Sequence, residues 1–201
     1  MSRSFGITFD YLCPFARNAN EHVITGLRAG APWDVTFVPY SLAQGHVEEG
    51  QPDVWEREGD AAAGVLALQV GITVRDRFPE RFLDVHEALF AARHDAGADI
   101  KDAAVVRGVL DAAGLDADEV FDAVEEGSAL KQLRAEHEDG VRDHQVWGVP
   151  TFITDARSVF VRLMDRPAGD ADIARQRIDQ VIDLVSGPLE LHEFKQVDLP
   201  V

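Results

Sequence analysis

Two kinds of apolar spacing follow one another in the first forty positions, and their order restricts the fold more than anything else in the chain. In "SFGITFDY" the residues Phe5, Ile7 and Phe9 alternate, the period of a strand with one face buried. From Pro14 to about Arg28 the spacing changes: Ala16, Ala19, Val23 and Leu27 recur at three and four, the period of a helix. "WDVTFVPYSL" (33–42) returns to alternation, with Val35, Phe37 and Pro39 on one side and the proline closing the strand. A strand–helix–strand unit of this kind is a right-handed crossover, so the two strands are expected to be parallel.

From about 46 to 146 the signal is helical throughout. "ERFLDVHEALFAARHD" puts Phe82, Val85 and Leu89 on one face, and "DAAVVRGVLDAAG" does so with Val105, Val106, Val109 and Leu110. "DADEVFDAVEEG" opens with acids suited to a helix N-terminus and closes at Gly127. A longer helix, roughly 128–146, leads into "VWGVPTFIT". Two short strands, Thr151–Thr154 and Ser158–Leu163, are expected to form a hairpin about "DAR". "DADIARQRIDQVIDLV" then reads as a last amphipathic helix with Ile173, Ile178, Val181, Ile182 and Val185 inward. The tail "SGPLELHEFKQVDLPV" is open between a packed arm, an extra strand and a partner contact. The sum is an α/β fold: 1–45 and 130–201 form one domain, and 46–129 is an all-helical insertion.

Composition excludes several functions. The formal charge of −17 repels nucleic acid and anionic membrane surfaces, so neither is an expected partner. No apolar run approaches the length of a membrane span, and the N-terminus enters its strand without the apolar stretch of a secretion signal. A cytoplasmic protein is expected. One cysteine excludes an intramolecular disulfide and any multi-cysteine metal or iron–sulfur site.

That cysteine, Cys13 in "DYLCPFARNANEHV", stands between the first strand and the first helix. Proline is favoured at the first helical position, so Pro14 puts Cys13 at the N-cap, facing unpaired N–H groups and the positive end of the helix dipole. Such a setting is expected to lower a thiol's pKa. Phe15 would keep one flank apolar, and Arg17 lies within a turn. A lone cysteine is also commonly a small buried hydrophobe, but one at a strand-to-helix junction sits where open α/β sheets place their ligands.

The second segment of interest is "GVPTF", 148–152. A Val149–Pro150 bond between a helix and a strand start is a candidate cis peptide. If the two halves of the chain pair, this loop lies beside Cys13. Strand, "CPFA", helix, strand, helical insertion, then "GVPTF" before a hairpin and helix resembles the DsbA-like branch of the thioredoxin superfamily. The resemblance covers nearly the whole chain in element order and implies an α/β thioredoxin-like fold, a central mixed sheet flanked by helices, with an all-helical insertion. It implies Cys13 as the nucleophile. It also implies Pro14, Phe15, Ala16, Val149, Pro150 and Thr151 as the residues that activate it or shape the groove beside it, with Val149 offering its backbone to an incoming thiol or peptide.

The departure from that family's Cys-Pro-x-Cys pattern is Ala16, which stands where the resolving cysteine would be. Without it the isolated monomer cannot form or pass on its own disulfide. Three readings stay open. Cys13 acts as a monothiol oxidoreductase with a low-molecular-weight thiol, glutathione or mycothiol, as co-substrate and no tightly bound cofactor. Or the chain holds a small thiol for transfer or isomerisation, resembling kappa-class glutathione transferases and 2-hydroxychromene-2-carboxylate isomerases, which share the insertion but typically carry serine here. Or redox activity is lost and a binding module remains. Small thiols or disulfides are the expected partners, with protein thiols and a homodimer left open.

Tyr11, His46 and Trp147 are candidate substrate contacts, and Trp55, at the entrance to the insertion, is a further candidate to face the same cleft. Asp10 either opposes the helix end, raising the thiol pKa, or caps locally. Among the histidines, His22 is expected to be structural and His86 and His94 solvated. His137 and His144 share a helix face without a carboxylate to complete a metal site, so no metal is expected.

Overall fold

The computed structural model describes residues 2–57, 64–188 and 190. β1 (Arg3–Phe9) leads through α1 (Pro14–Arg28) to β2 (Trp33–Pro39). The two strands pair in parallel, from Arg3 opposite Trp33 to Phe9 opposite Pro39, as the crossover requires. β3 (Thr151–Ile153) and β4 (Ser158–Phe160) form the expected antiparallel hairpin, Thr151 opposite Phe160. β3 also runs antiparallel to β1, so the sheet order is β2-β1-β3-β4 and the segments before and after the helical stretch meet at its centre. β4 is shorter than its sequence pattern: the last rung is the Val161 N–H donating to the Pro150 carbonyl at 3.1 Å, after which the chain leaves the ladder.

Strand alternation sorts the two faces. Phe5, Ile7 and Phe9 are buried, and α1 packs against β1 and against α8 (Ala171–Val185), which also meets β3. Trp33 locks this layer, its Nε1 donating to Asp179 at 3.0 Å. Its ring lies on Gly26, where a Cβ would come within 2.2 Å of Cζ3, so α1 admits the indole only because residue 26 has no side chain. On the other side α7 (Ser128–His144) packs against β2, beside Gly6, Thr36, Val38 and Ile153.

Between β2 and α7 lie α2 (Leu42–Gly45), a 3₁₀ turn (Val54–Glu56), α3 (Val65–Arg77), α4 (Pro79–His94), α5 (Ala103–Ala112) and α6 (Ala117–Glu125). Their starts are written in the sequence: Pro79 opens α4, and the carboxylates of Asp102 and Asp116 accept N–H groups of the first turns of α5 and α6. α3 buries residues all round its surface, from Val65 to Val74, because α4, α6 and α7 surround it. Phe82, Val85, Leu89, Val106 and Leu110 are buried as their periodicity predicts, and the apolar core continues unbroken from the sheet into these helices.

Three expectations about helix faces fail. Ile173 is exposed: the inward stripe of α8 starts at Ala174 and continues through Ile178, Val181, Ile182 and Val185, leaving residue 173 off its edge. His86 is not solvated but wholly buried. It lies on the same face of α4 as Phe82 and Phe90, one turn either side, and its ring stacks on Phe82 at 4.8 Å. His94 is half-buried, its Nε2 bonded to the Tyr11 carbonyl at 2.9 Å. His22 bonds the Asn18 carbonyl within α1, and His137 accepts the Ser41 N–H at 3.2 Å, whereas His144 faces solvent. Among the described residues no three His, Cys, Asp or Glu side chains are grouped to hold a metal, and no helix is long and apolar enough to cross a membrane. The tail from Leu191 lies outside the described residues.

Candidate functional site around Cys13

Cys13 is the N-cap of α1, with extended backbone angles, and its sulfur accepts the Ala16 N–H at 3.4 Å. Pro14 follows at the first helical position, where the missing N–H loses nothing. A tight turn brings the chain here from β1: the Cys13 N–H donates to the Asp10 carbonyl at 3.0 Å, and the Leu12 N–H to Asp10 Oδ1 at 2.9 Å. Asp10 Oδ2 accepts the Leu42 N–H at 2.8 Å, so one buried carboxylate ties the end of β1 to the first residue of α2. Burial outweighs those two hydrogen bonds and lifts the Asp10 carboxyl to about 6.

The loop before β3 closes the other side. Cys13 Sγ lies 3.4 Å from the Val149 carbonyl oxygen, to which the thiol donates. The Val149–Pro150 peptide is cis. The loop is held from beneath: the Thr151 N–H donates to Thr8 Oγ1 at 2.7 Å, and Thr151 Oγ1 donates to the Gly148 carbonyl at 2.8 Å. Thus Cys13, Pro14, Ala16, Val149, Pro150 and Thr151, far apart in the chain, meet in one place.

The charge state of the sulfur differs from the sequence expectation. Burial pushes the Cys13 thiol up; Cys13 is 8% exposed. The N–H groups of Ala16 and Phe15 pull in the opposite direction, as does the Arg162 charge, while Asp10 adds to the upward push. The helix end acts as expected, but desolvation of the thiolate exceeds it. At rest the sulfur is a thiol whose proton points to Val149.

The remaining candidates divide. Phe15 flanks the site, half-buried, under the guanidinium of Arg162, 5.2 Å from its ring centroid. Trp147 is 70% exposed and rests on Phe160 with ring centroids 4.6 Å apart, so it stands at the rim of the loop rather than beneath the helices. Tyr11 is corrected: it is wholly buried, its hydroxyl on His86 Nδ1 at 2.8 Å, and it has no surface to offer a substrate. Burial pushes its phenol far up. His46 bonds back to the Leu42 carbonyl of its own short helix, exposed. Trp55 meets His137 edge-on at 5.6 Å. Arg17 is buried and turned toward Glu21 and Asp95, with Arg166 completing the network, so it does not serve the thiol.

Several contributors escaped the sequence reading. Thr8, wholly buried between Ile7 and Phe9 on β1, carries the hydroxyl that anchors Thr151. His86 joins Tyr11 to Asn20 Oδ1 at 3.1 Å, and Asn20 Nδ2 reaches the Ala16 carbonyl at 2.8 Å, so a buried polar chain holds the first turn of α1 against the strand end. Asn18 Nδ2 donates to the carbonyls of Leu163 and Met164. Phe160 and Arg162, two apart where β4 ends, share a side of the chain; that spacing in "SVFVRL" was the available signal.

Comparison with known proteins places this geometry. The chain is 30% identical over 194 residues to the uncharacterized protein Rv2286c of Mycobacterium tuberculosis, covering 96% of this chain and 81% of that protein. Its fold is similar to that of the cytosolic disulfide reductase DsbM from Pseudomonas aeruginosa, with a TM-score of 0.57 at 17% identity, covering 90% of this chain and 99% of that one. It is also similar to a periplasmic thioredoxin-like protein from Salmonella enterica serovar Typhimurium, with a TM-score of 0.56 at 16% identity, covering 89% and 83%. Residues 7–168 match the DSBA-like thioredoxin domain, and with its mixed sheet, helical segment and cysteine at the first helix's N-cap the chain belongs to the DsbA-like family of the thioredoxin superfamily.

Proposed function

We propose that the protein is a monothiol member of this oxidoreductase family, in which Cys13 alone exchanges with small disulfides and a second low-molecular-weight thiol, of the glutathione or mycothiol kind, resolves the product. The observation that carries this reading is the Cys13 sulfur at the N-cap, bonded to the Val149 carbonyl, with Ala16 and no second cysteine beside it. The thiol first gives its proton to solvent. The thiolate attacks one sulfur of the disulfide, a mixed disulfide forms on Cys13, and the other half leaves as a thiolate. A second thiolate then attacks the mixed disulfide, releasing Cys13 and a new small disulfide. Electrons pass from the small thiol to the starting disulfide, and the protein ends as it began.

The N–H groups of Phe15 and Ala16 and the charge of Arg162 favour the thiolate once it forms. A thiolate of high basicity is in turn the stronger nucleophile, which offsets part of its smaller population. A lone thiol depends on a pool of small thiols, so the reaction belongs in a reducing compartment, the cytoplasm. The test is mass spectrometry of the intact protein after treatment with small disulfides. One adduct, absent in Cys13→Ser and released by added thiol with turnover, supports the reading. Absence of any adduct across the pH range of thiol ionisation overturns it.

A second reading has one observation in its favour: burial keeps Cys13 protonated, a hydrogen-bond donor rather than a nucleophile. In a kappa-type transferase or isomerase that donor would hold a bound thiolate. Thiol-dependent activity that survives Cys13→Ser, whose hydroxyl donates equally, selects this reading over the first.

A further inference from the structure

We propose that Arg162 selects the disulfide: the site takes low-molecular-weight disulfides that carry a carboxylate near the sulfur, the acid pairing with the guanidinium while the sulfur meets Cys13. This rests on the monothiol reading and names its substrate class.

Position comes first. The Val161 N–H is bonded to the Pro150 carbonyl, so Arg162 is the next residue along from the loop that faces the thiol. The side chain of Asn18, on α1, holds the carbonyls of Leu163 and Met164, which ties the following segment to the same helix. The Arg162 guanidinium lies over two rings, 5.2 Å from the centroid of Phe15 and 5.8 Å from that of Phe160. Phe15 is two residues from Cys13. The charge is therefore held at the mouth of the thiol site by stacking, which keeps the two rings off the N–H fork at the guanidinium edge.

Charge comes second. The chain holds 36 acidic against 19 basic residues, and other arginines around the molecule, Arg17, Arg28, Arg75 and Arg166 among them, are paired with carboxylates. Arg162 is exposed, and among the described residues no carboxylate lies within ion-pair distance of it. In a field of −17 an acidic ligand is repelled almost everywhere, so a fork without an acid beside a thiol is where such a ligand gains. A planar fork also matches a carboxylate with two parallel hydrogen bonds. Apolar surface comes third. Trp147 and Met164 are each 70% exposed, and Trp147 continues the ring row from Phe160, giving the carbon part of a small disulfide a surface to lie on.

In the exchange step, the bond formed is Cys13 Sγ to the ligand sulfur, and the bond broken is the ligand's S–S. The departing thiolate takes the electron pair, and a second small thiol is the reductant that frees Cys13.

The test uses the full chain and three probes of similar size: 3,3′-dithiodipropionate (acidic), bis(2-hydroxyethyl) disulfide (neutral) and cystamine (basic). Rates of mixed-disulfide formation are divided by those of the same probes with a free model thiol. The expected normalised preference for the acidic over the neutral probe is about tenfold, the scale of a charge-assisted hydrogen bond. It falls toward one in Arg162→Gln and is partly kept in Arg162→Lys, which has the charge without the fork. A preference of one in the wild type, or a preference unaltered in Arg162→Gln, overturns the inference while Cys13 exchange stands. Failure of all three probes to react overturns the monothiol reading and this inference with it.

Discussion

The Cys13 thiol donates to the Val149 carbonyl across 3.4 Å, bridging 136 positions of sequence. The contact joins the first turn of α1 to the loop before β3, and the Val149 carbonyl holds the resting proton of the thiol. Because desolvation exceeds the help of the helix end, the sulfur should titrate above an ordinary thiol. The pH dependence of iodoacetamide alkylation measures this directly. The folded protein is expected to react more slowly than the unfolded chain near pH 8, with its midpoint above the free value of about 8.5. A midpoint well below that value would mean that the helix N–H groups and Arg162 dominate instead.

Ala16 is the position at which this chain departs from a two-cysteine motif, and its N–H already touches the sulfur. Ala16→Cys should place a second thiol one turn along on the same helix face. The mixed disulfide on Cys13 would then collapse to an intramolecular disulfide, so the small-disulfide adduct vanishes and the free-thiol titre drops to zero on oxidation. Ala16 is wholly buried, so the added sulfur is expected to cost about 1–2 kcal/mol of stability. Persistence of a stable adduct would show that the two sulfurs cannot meet.

Thr8 supports the loop without touching the thiol. In Thr8→Val the Thr151 N–H is left buried without its acceptor, at a cost of about 1–3 kcal/mol. Thr8→Ser, which keeps the hydroxyl, should recover most of that. Urea unfolding of the three proteins gives the energies. Exchange rates should fall in Thr8→Val and recover in Thr8→Ser if the loop positions Val149.

Three buried groups set the response to acid. Burial lowers His86 to about 3 and His137 to about 4, both below the ordinary 6.5 or so, so each is neutral when folded and protonates more readily unfolded. Their contribution is complete above about pH 6.5 and is lost as pH falls toward the folded values, about 2 kcal/mol each between pH 7 and 5. Asp10 runs oppositely: raised to about 6, its proton favours the folded state below that pH and returns about 1 kcal/mol over the same range. The net expectation is a loss of about 2–3 kcal/mol from pH 7 to 5. Denaturant titrations at both pH values check it, and stability that is flat or rising would contradict the neutral His86 that links Tyr11 to Asn20.

Local pattern carried much of this protein. Period two against period three to four placed β1, α1, β2, the hairpin and α8, because those spacings follow from which side of a strand or helix must leave water. Pro14 marked the N-cap at Cys13, since proline's lost N–H restricts where it can stand, and "GVPTF" marked the loop opposite through its resemblance to the DsbA-like pattern. What local pattern cannot hold is the sum of competing fields at one atom. The helix end was visible from Pro14; the burial that outweighs it is made by residues from β1, α1 and the 148–151 loop packing together. His86 shows the same limit. Polar and on an acidic helix, it reads as solvated, and only the arrival of Phe9, Tyr11 and Phe37 from the sheet side makes its site apolar. Arg162 is the converse: the spacing in "FVRL" puts it on the side of Phe160, but only the folded sheet sets its charge over Phe15 as well, at the mouth of the thiol site. Periodicity is a property of neighbours in the chain, whereas desolvation and Coulomb interactions depend on distance in space, and those distances exist only once the chain has folded.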